Sequence, residues 1–199
     1  MNVLIENAKN VVFDVGCVLL NFEPEKYIPL ILQGELAQRL QPGMVFETAK
    51  WDGLDGGTVS EEEVARYAAG LYGDESVWPQ VLQVVQRFHE FMTPLPTVEM
   101  IPRLHAMGKR VYVLSNYGVE PFARTEKRFS GIFSQMDGMV VSGREKICKP
   151  DERIYRLLLS RYNLVPQECV FIDDRPVNIE AARKIGMQGI VFTGMSSLE

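Results

Sequence analysis

Three cysteines, Cys17, Cys148 and Cys169, are too few and too scattered for a zinc site or a disulfide framework: their number is odd and no CxxC spacing occurs. Cys17 and Cys148 read as small buried hydrophobes rather than reactive thiols. Positive charge is also scarce. Against 26 acidic residues stand 21 Lys and Arg, giving a net charge of -5 and a pI near 5.2, so there is no basic footprint for nucleic acid or an anionic membrane. Small molecules bearing phosphate stay open, because local donors and a metal can capture them. No apolar run approaches the roughly 20 residues needed to span a bilayer. The first residues lack the basic start and clean apolar core of a signal peptide, with Glu6 ahead of the first lysine and Asp14 inside the first apolar run. A cytoplasmic location is expected. What remains is the composition of a folded globule, 46% apolar and 24% charged over 199 residues, enough for one core with a modest insertion.

The informative places are where apolar runs stop. Val11, Val12 and Phe13 run into Asp14, and the chain leaves through Val15, Gly16, Cys17 and Val18, the pattern of a buried strand breaking into a glycine turn. A carboxylate at the tip of a core strand is costly unless a cation, hydrogen bonds or chemistry justify it. Val170, Phe171 and Ile172 lead likewise into Asp173 and Asp174. Three carboxylates at strand ends suit a hard cation, since Mg2+ takes oxygen ligands, commonly one or two carboxylates and a phosphate. Either motif alone has a plainer reading as a turn cap or helix N-cap. Two further polar breaks strengthen the set: Val111 to Leu114 runs into Ser115 and Asn116, and Val140 and Val141 are followed by Lys149 and Pro150. In an open parallel sheet the strand C-termini line one crevice, where ligands bind.

The organisation supports such a sheet. Residues 1 to about 20 form the first strand and its turn, after which the pattern becomes helical: Glu23 to Gln33, Glu35 to about Thr48, Ser60 to Tyr72, and Ser76 to Met92. Ser60 and Glu63 form a capping-box pattern, and Asp52 to Gly57 reads as a loop between helices. From Pro94 onward helices alternate with strands at Arg110–Leu114, Gly138–Val141, Cys169–Ile172 and Gln188–Phe192, which predicts parallel strands with crossover helices. Pro102 should kink its helix, Thr97 to Met107, or mark a late start. Pro94 and Pro96 mark the expected hinge.

In this order, FDVGCVL, VLSN, KP and FIDDRPVNIEAA resemble the four motifs of the haloacid dehalogenase-like hydrolase superfamily. The resemblance covers the whole chain and is best to small phosphatase-like members. It implies an α/β fold with a Rossmann-like three-layer parallel sheet core, 1–20 and 94–199, and an inserted helical cap, 21–93. It further implies a Mg2+-dependent phosphatase acting on a small phosphorylated metabolite through an aspartyl-phosphate on Asp14. The implied metal ligands are Asp14, Asp174 and the Gly16 carbonyl, with Asp173 orienting the metal's waters. Asn178 either helps hold that loop or is a plain helix-surface residue. Ser115 and Asn116 would hold phosphate oxygens, unless Ser115 is a simple N-cap. Lys149 would supply positive charge to the phosphate and its transition state, its position in the motif setting it apart from a solvated lysine; Lys146 reads as a loop lysine.

Attack of one anion on another calls for a metal: two unit negative charges at 4 Å repel by roughly 4 kcal/mol at an effective dielectric near 20. The main departure from the pattern is Gly16, where most phosphatase members carry the acid/base aspartate. Its loss is expected to slow turnover by about 10^2 to 10^4 and to make aspartyl-phosphate breakdown limiting. Two alternatives follow. A 2-haloacid dehalogenase attacks carbon without metal and lacks the acidic pair that Asp173 and Asp174 provide here. A non-catalytic member would bind a phosphometabolite or a protein partner, and Gly16 is the feature in its favour. Specificity is expected from Asn21, Phe22, Trp51 and Asp52, on position alone.

Overall fold

The computed structural model describes residues 1–199. Five parallel strands, β1 (Asn10–Phe13), β2 (Arg110–Ser115), β3 (Gly138–Val141), β4 (Cys169–Asp173) and β5 (Gln188–Val191), form one sheet in the order β3-β2-β1-β4-β5. The chain first winds outward from β1 to β3 and then crosses back to β4, so the strand order reverses at β1. That is the topological switch point of a doubly wound sheet.

Alternation along the strands sorts the core into two faces. Val11, Phe13, Val111, Val113, Val170 and Ile172 turn to one side, where they meet Ile101, Leu104 and Phe122. Val12, Tyr112, Leu114 and Phe171 turn to the other, against Ile154, Tyr155 and Leu158 of helix Glu152–Arg161 and Ile179 and Ala182 of helix Pro176–Lys184. The result is the expected three-layer α/β core. No helix is long and apolar enough to cross a membrane.

Between β1 and β2 every element from Pro24 to Glu90 is helical. The capping box forms as read: Glu63 N–H donates to Ser60 Oγ at 3.2 Å, and Ser60 N–H to Glu63 Oε2 at 2.9 Å. Other expectations need correction. Glu35 to Thr48 is two short helices, Gly34–Arg39 and Pro42–Phe46, because Pro42 has no N–H to continue the first and instead opens the second. Residues 52–55, read as loop, end a helix, Ala49–Asp55, that starts on a Thr48 N-cap and runs through Gly53. Pro102 marks a late start: a 3-10 turn at Pro96–Glu99 hands over to helix Met100–Ala106. A short helix, Val3–Asn7, precedes β1, and Lys109 Nζ caps its end by donating to the carbonyls of Glu6, at 2.7 Å, and Ala8, at 2.5 Å.

The two crossings into and out of the helical insertion run side by side. Asn21 N–H donates to the Thr93 carbonyl at 3.0 Å and Leu95 N–H to the Leu19 carbonyl at 2.8 Å, with Leu20 and Pro94 forming an antiparallel bridge.

Candidate active site

The register Phe13↔Ile172 carries Asp14 and Asp173 out of neighbouring strands side by side at the C-terminal edge of the sheet. Asp14 N–H donates to the Ile172 carbonyl at 2.9 Å, and the Val15 N–H donates to Asp14 Oδ1 at 2.7 Å. Lys149 enters between the two carboxylates. Its Nζ lies 3.0 Å from Asp14 Oδ2 and 2.7 Å from Asp173 Oδ2, and the residue is only 3% exposed.

Around this trio the other motif residues act as struts. Asp173 also receives the Arg175 N–H at 2.8 Å and Asn178 Nδ2 at 3.0 Å from each oxygen, so its carboxylate is fully occupied. Asn178, left open by the sequence, is buried and part of the site, with its Oδ1 unpartnered. Asn116 clamps the lysine loop: its Nδ2 donates to the Lys149 carbonyl at 2.9 Å and its Oδ1 accepts from Lys149 N–H at 2.8 Å. Its amide therefore holds the Lys149 backbone in place. Ser115 ends β2, buried, and its hydroxyl helps to hold the Asp14 carboxyl down. Lys146 is an exposed loop lysine, in the left-handed region at φ 55° that glycine would fill with less strain.

The charges do not balance. Asp14, Asp173 and Asp174 place carboxylate oxygens within 4.8 Å of one another, and the only buried cation among them is Lys149. Burial raises the Asp14 carboxyl to about 6, with Asp173 adding to the rise and Lys149 and Ser115 opposing it. Burial and then Asp173 raise Asp174 as well. Burial works to discharge Lys149, but Asp14 and Asp173 outweigh it and hold the ammonium above its ordinary value. Two carboxyls pushed toward neutrality beside one satisfied lysine form a donor set short of one cation. Oxygen-only donors of this kind fit Mg2+.

Beside the carboxylates lies a cavity of about 140 Å³, lined by Asp14, Gly16, Ser115 and Asn116 at the strand ends, by Asp55 from the helical insertion, and by Phe22, Trp51, Phe88, Met92 and Tyr117 as an apolar roof. Three of the roof rings pack edge to face, Phe46 tying Phe22 (5.3 Å) to Trp51 (4.6 Å) and Trp51 in turn meeting Phe88 at 5.7 Å, while Tyr117 stacks on Phe88 at 6.2 Å. Of the four residues expected to set specificity, Phe22 and Trp51 line this cavity. Asn21 instead staples the crossing, accepting from Thr93 N–H at 2.6 Å, and Asp52 is exposed. Sequence reasoning missed Asp55, Phe88, Met92 and Tyr117. Burial drives the Cys17 thiol up to about 11 and raises Cys148, so neither supplies a thiolate at neutral pH. A wider groove of about 520 Å³ near Glu61, Glu62 and Glu120 is acidic, the wrong sign for phosphate.

Residues 8–186 match the model of the haloacid dehalogenase-like hydrolase family. The chain belongs to this family. Its relatives include phosphatases. A D-ribitol-5-phosphate phosphatase from Bacteroides thetaiotaomicron is 23% identical over 192 residues, 90% of this chain and 89% of that protein. Acyl-CoA dehydrogenase family member 10 from Mus musculus is 34% identical over 96 residues, 46% of this chain. The chain spans 8% of that protein's length and 58% of a flavin mononucleotide hydrolase from Arabidopsis thaliana. A haloacid dehalogenase-family enzyme from Bacteroides thetaiotaomicron, solved with magnesium and inorganic phosphate, superposes with a TM-score of 0.72 at 18% identity, covering 94% of this chain and 95% of its own. An L-2-haloacid dehalogenase from Xanthobacter autotrophicus shares the fold at a TM-score of 0.67 and 18% identity, covering 92% and 76%.

Proposed function

We propose that this protein is a Mg2+-dependent phosphatase that hydrolyses a small phosphate monoester, of the size of a sugar or polyol phosphate, through an aspartyl-phosphate on Asp14. The observation that carries the reading is the strand-end cluster, three carboxylates of which two share one buried lysine, with a deficit of positive charge. Mg2+ held by Asp14, Asp174 and the Gly16 carbonyl would neutralise charge on the phosphate and on its attacker.

The chain's own residues divide the remaining work. Asp14 attacks phosphorus, held in place by its strand and by the Val15 amide. Lys149 and the Ser115 hydroxyl take the phosphate oxygens, and Asn116 keeps the lysine loop where that contact is made. Asp173 and Asn178 hold the lysine and the acidic loop in register.

Residues 1–20 and 94–199 would act as the core and 21–93 as a cap closing over it, with the paired crossings at Leu20 and Pro94 as the hinge. A cavity of about 140 Å³ falls below the roughly 300–1,000 Å³ of drug-sized ligand sites. That favours small substrates, and the relation to a D-ribitol-5-phosphate phosphatase points the same way.

The test is phosphate release from a panel of phosphorylated sugars, polyols, nucleotides and small acids, with Mg2+ and with EDTA. Turnover should need Mg2+ and be lost on chelation and in Asp174→Ala. Halide release from 2-haloacids that persists in EDTA would replace this reading by a dehalogenase, and binding of phosphate esters without release would make the protein a non-catalytic member.

A further inference from the structure

Hydrolysis through Asp14 needs a donor for the departing oxygen and an acceptor for the attacking water's proton. Gly16 supplies neither. A carboxyl reaches the same cavity from the opposite side: Asp55, last residue of the helix Ala49–Asp55, lines it together with Asp14, Gly16 and Ser115. No lysine is left to pair with it, because Lys149 is taken by Asp14 and Asp173.

The segment that carries Asp55 is pinned to the core by close backbone approaches. Ser142 Oγ donates to the Asp55 carbonyl at 2.5 Å. Any Cβ on Gly57 would overlap the Gly143 carbonyl, and one on Gly118 would stand 3.0 Å from Leu54 Cγ and 3.1 Å from the Leu54 carbonyl oxygen. Gly57 also has φ +67°, a conformation that side chains resist. Glycines on both sides of the seam therefore let the insertion and the core meet closely enough to keep the Asp55 carboxyl in the cavity.

We propose that Asp55 is the general acid and base of this site, doing from the helical insertion what an aspartate at position 16 would do from the core. The inference rests on the phosphatase reading. In the first step Asp14 attacks phosphorus and the bond to the ester oxygen breaks; that oxygen takes the Asp55 proton, giving the alcohol and an Asp55 carboxylate. In the second step Asp55 removes a proton from water as its oxygen attacks phosphorus. The bond to Asp14 breaks, and phosphate leaves with Asp14 ionised and Asp55 protonated again. Burial, then Asp52 and Asp14, push the Asp55 carboxyl up to about 7 against the Gly118 amide and Lys149, so both protonation states are within reach at neutral pH. Gly16 has no positive φ and nothing stands within 4 Å of a Cβ placed there, so an aspartate can be put back.

The experiment uses the full chain with Mg2+: wild type, Asp55→Asn, Asp55→Ala, Asp14→Asn and the double variant Gly16→Asp/Asp55→Asn, each checked by circular dichroism and thermal melting. Substrates are p-nitrophenyl phosphate, whose leaving group needs little protonation, and ribitol 5-phosphate, whose alkoxide needs a proton. Wild type should release p-nitrophenol without a burst, because its second step has a base. Asp55→Asn and Asp55→Ala should lose about 10^2 to 10^4 in kcat on the alkyl phosphate. On p-nitrophenyl phosphate they should show a burst equal to the enzyme concentration, as the aspartyl-phosphate accumulates. Gly16→Asp in the Asp55→Asn background should restore alkyl phosphate turnover and abolish the burst. A burst in wild type, no burst in the Asp55 variants, or no rescue from folded protein would overturn the role of Asp55. Activity that survives in Asp14→Asn, or a wild type inert on both substrates, would overturn the phosphatase reading itself and this inference with it.

Discussion

Asp14 and Asp173 at the strand ends are buried and Asp55 at the insertion seam is half-buried, and the two sides are held in opposite ways. Asp14 and Asp173 are placed by sheet register and share a buried ammonium, and Asp173 has every lone pair engaged. Asp55 has no such partner and is located by where glycines let two backbones touch. The difference separates two tasks. A nucleophile and a phosphate site gain from rigidity, because misplacing them loses the benefit of prior alignment. Acid/base chemistry instead needs a group that is neither firmly ionised nor firmly neutral, and withholding a counter-ion achieves that.

Removing the attacking anion breaks this comparison hardest. Asp14→Asn keeps the volume and should keep the fold, but phosphatase activity should fall by at least about 1,000-fold. The check is kcat on any hydrolysed monoester, with melting as the fold control; activity above a few per cent would rule out Asp14 as nucleophile. Next comes Lys149→Met, which leaves the buried carboxylates without their ammonium. It should cost about 3–5 kcal/mol of stability, read by urea unfolding without metal, whereas the same charge deletion at exposed Lys146 should cost less than about 0.5 kcal/mol.

A third prediction uses pH. Asp14 at about 6 and Asp55 at about 7 both sit above their ordinary carboxylate range in the folded chain. Stability from a raised group is complete below the unfolded value and is lost as pH rises through the folded one, so the metal-free protein should weaken between about pH 4 and pH 7. Its melting temperature in EDTA should be on the order of 5 °C higher at pH 5 than at pH 8. Mg2+ should recover the Asp14 share of that loss and not the Asp55 share, so Asp55→Asn should flatten what remains.

How far these regions could be read from the sequence follows the same divide. Asp14, Ser115 and Asp173 stand where apolar runs end, and a polar group at the tip of a core strand is conspicuous because burial makes it expensive. The parallel sheet was legible for the same reason, since its strands are continuous apolar runs separated by helical spacing. Asp55 sits in the polar, glycine-rich stretch Asp52 to Gly57, where a carboxylate needs no explanation; only docking of the insertion on Gly118 and Gly143 brings it to the site. The same stretch reads as loop from its Asp and Gly residues, and Gly53 and Gly56 do weaken helix propensity. The Thr48 cap, and Leu54 buried against the core, outweigh that penalty. The struts Asn116 and Asn178 were found as motif members, but their partners, the Lys149 backbone and the Asp173 carboxylate, are tertiary facts.

The smallest expected effect is also the sharpest contrast, because it sets the glycine beside the nucleophile against one at the insertion seam. Gly57 needs to be glycine: its φ is +67° and a Cβ there would run into the Gly143 backbone, which cannot swing aside as a side chain could. Gly57→Ala should therefore cost more than about 1 kcal/mol. Gly16 has no such need, since its φ is not positive and the space around a Cβ is open. Gly16→Ala should be neutral or add up to about 0.5 kcal/mol, because alanine restricts the unfolded chain without straining the folded one. The measurement is the urea midpoint of both variants under metal-free conditions, with unchanged m-values required before either is compared with wild type. Equal destabilisation at the two positions would mean that the turn after Asp14 is strained in a way its backbone does not show. It would also remove the argument that a side chain can be restored at position 16, and the rescue of Asp55→Asn by Gly16→Asp would then have to be judged against that cost. A neutral Gly16→Ala beside a costly Gly57→Ala would instead place the constraint at the seam, where backbone contact fixes Asp55, and leave the glycine beside the nucleophile free to vary.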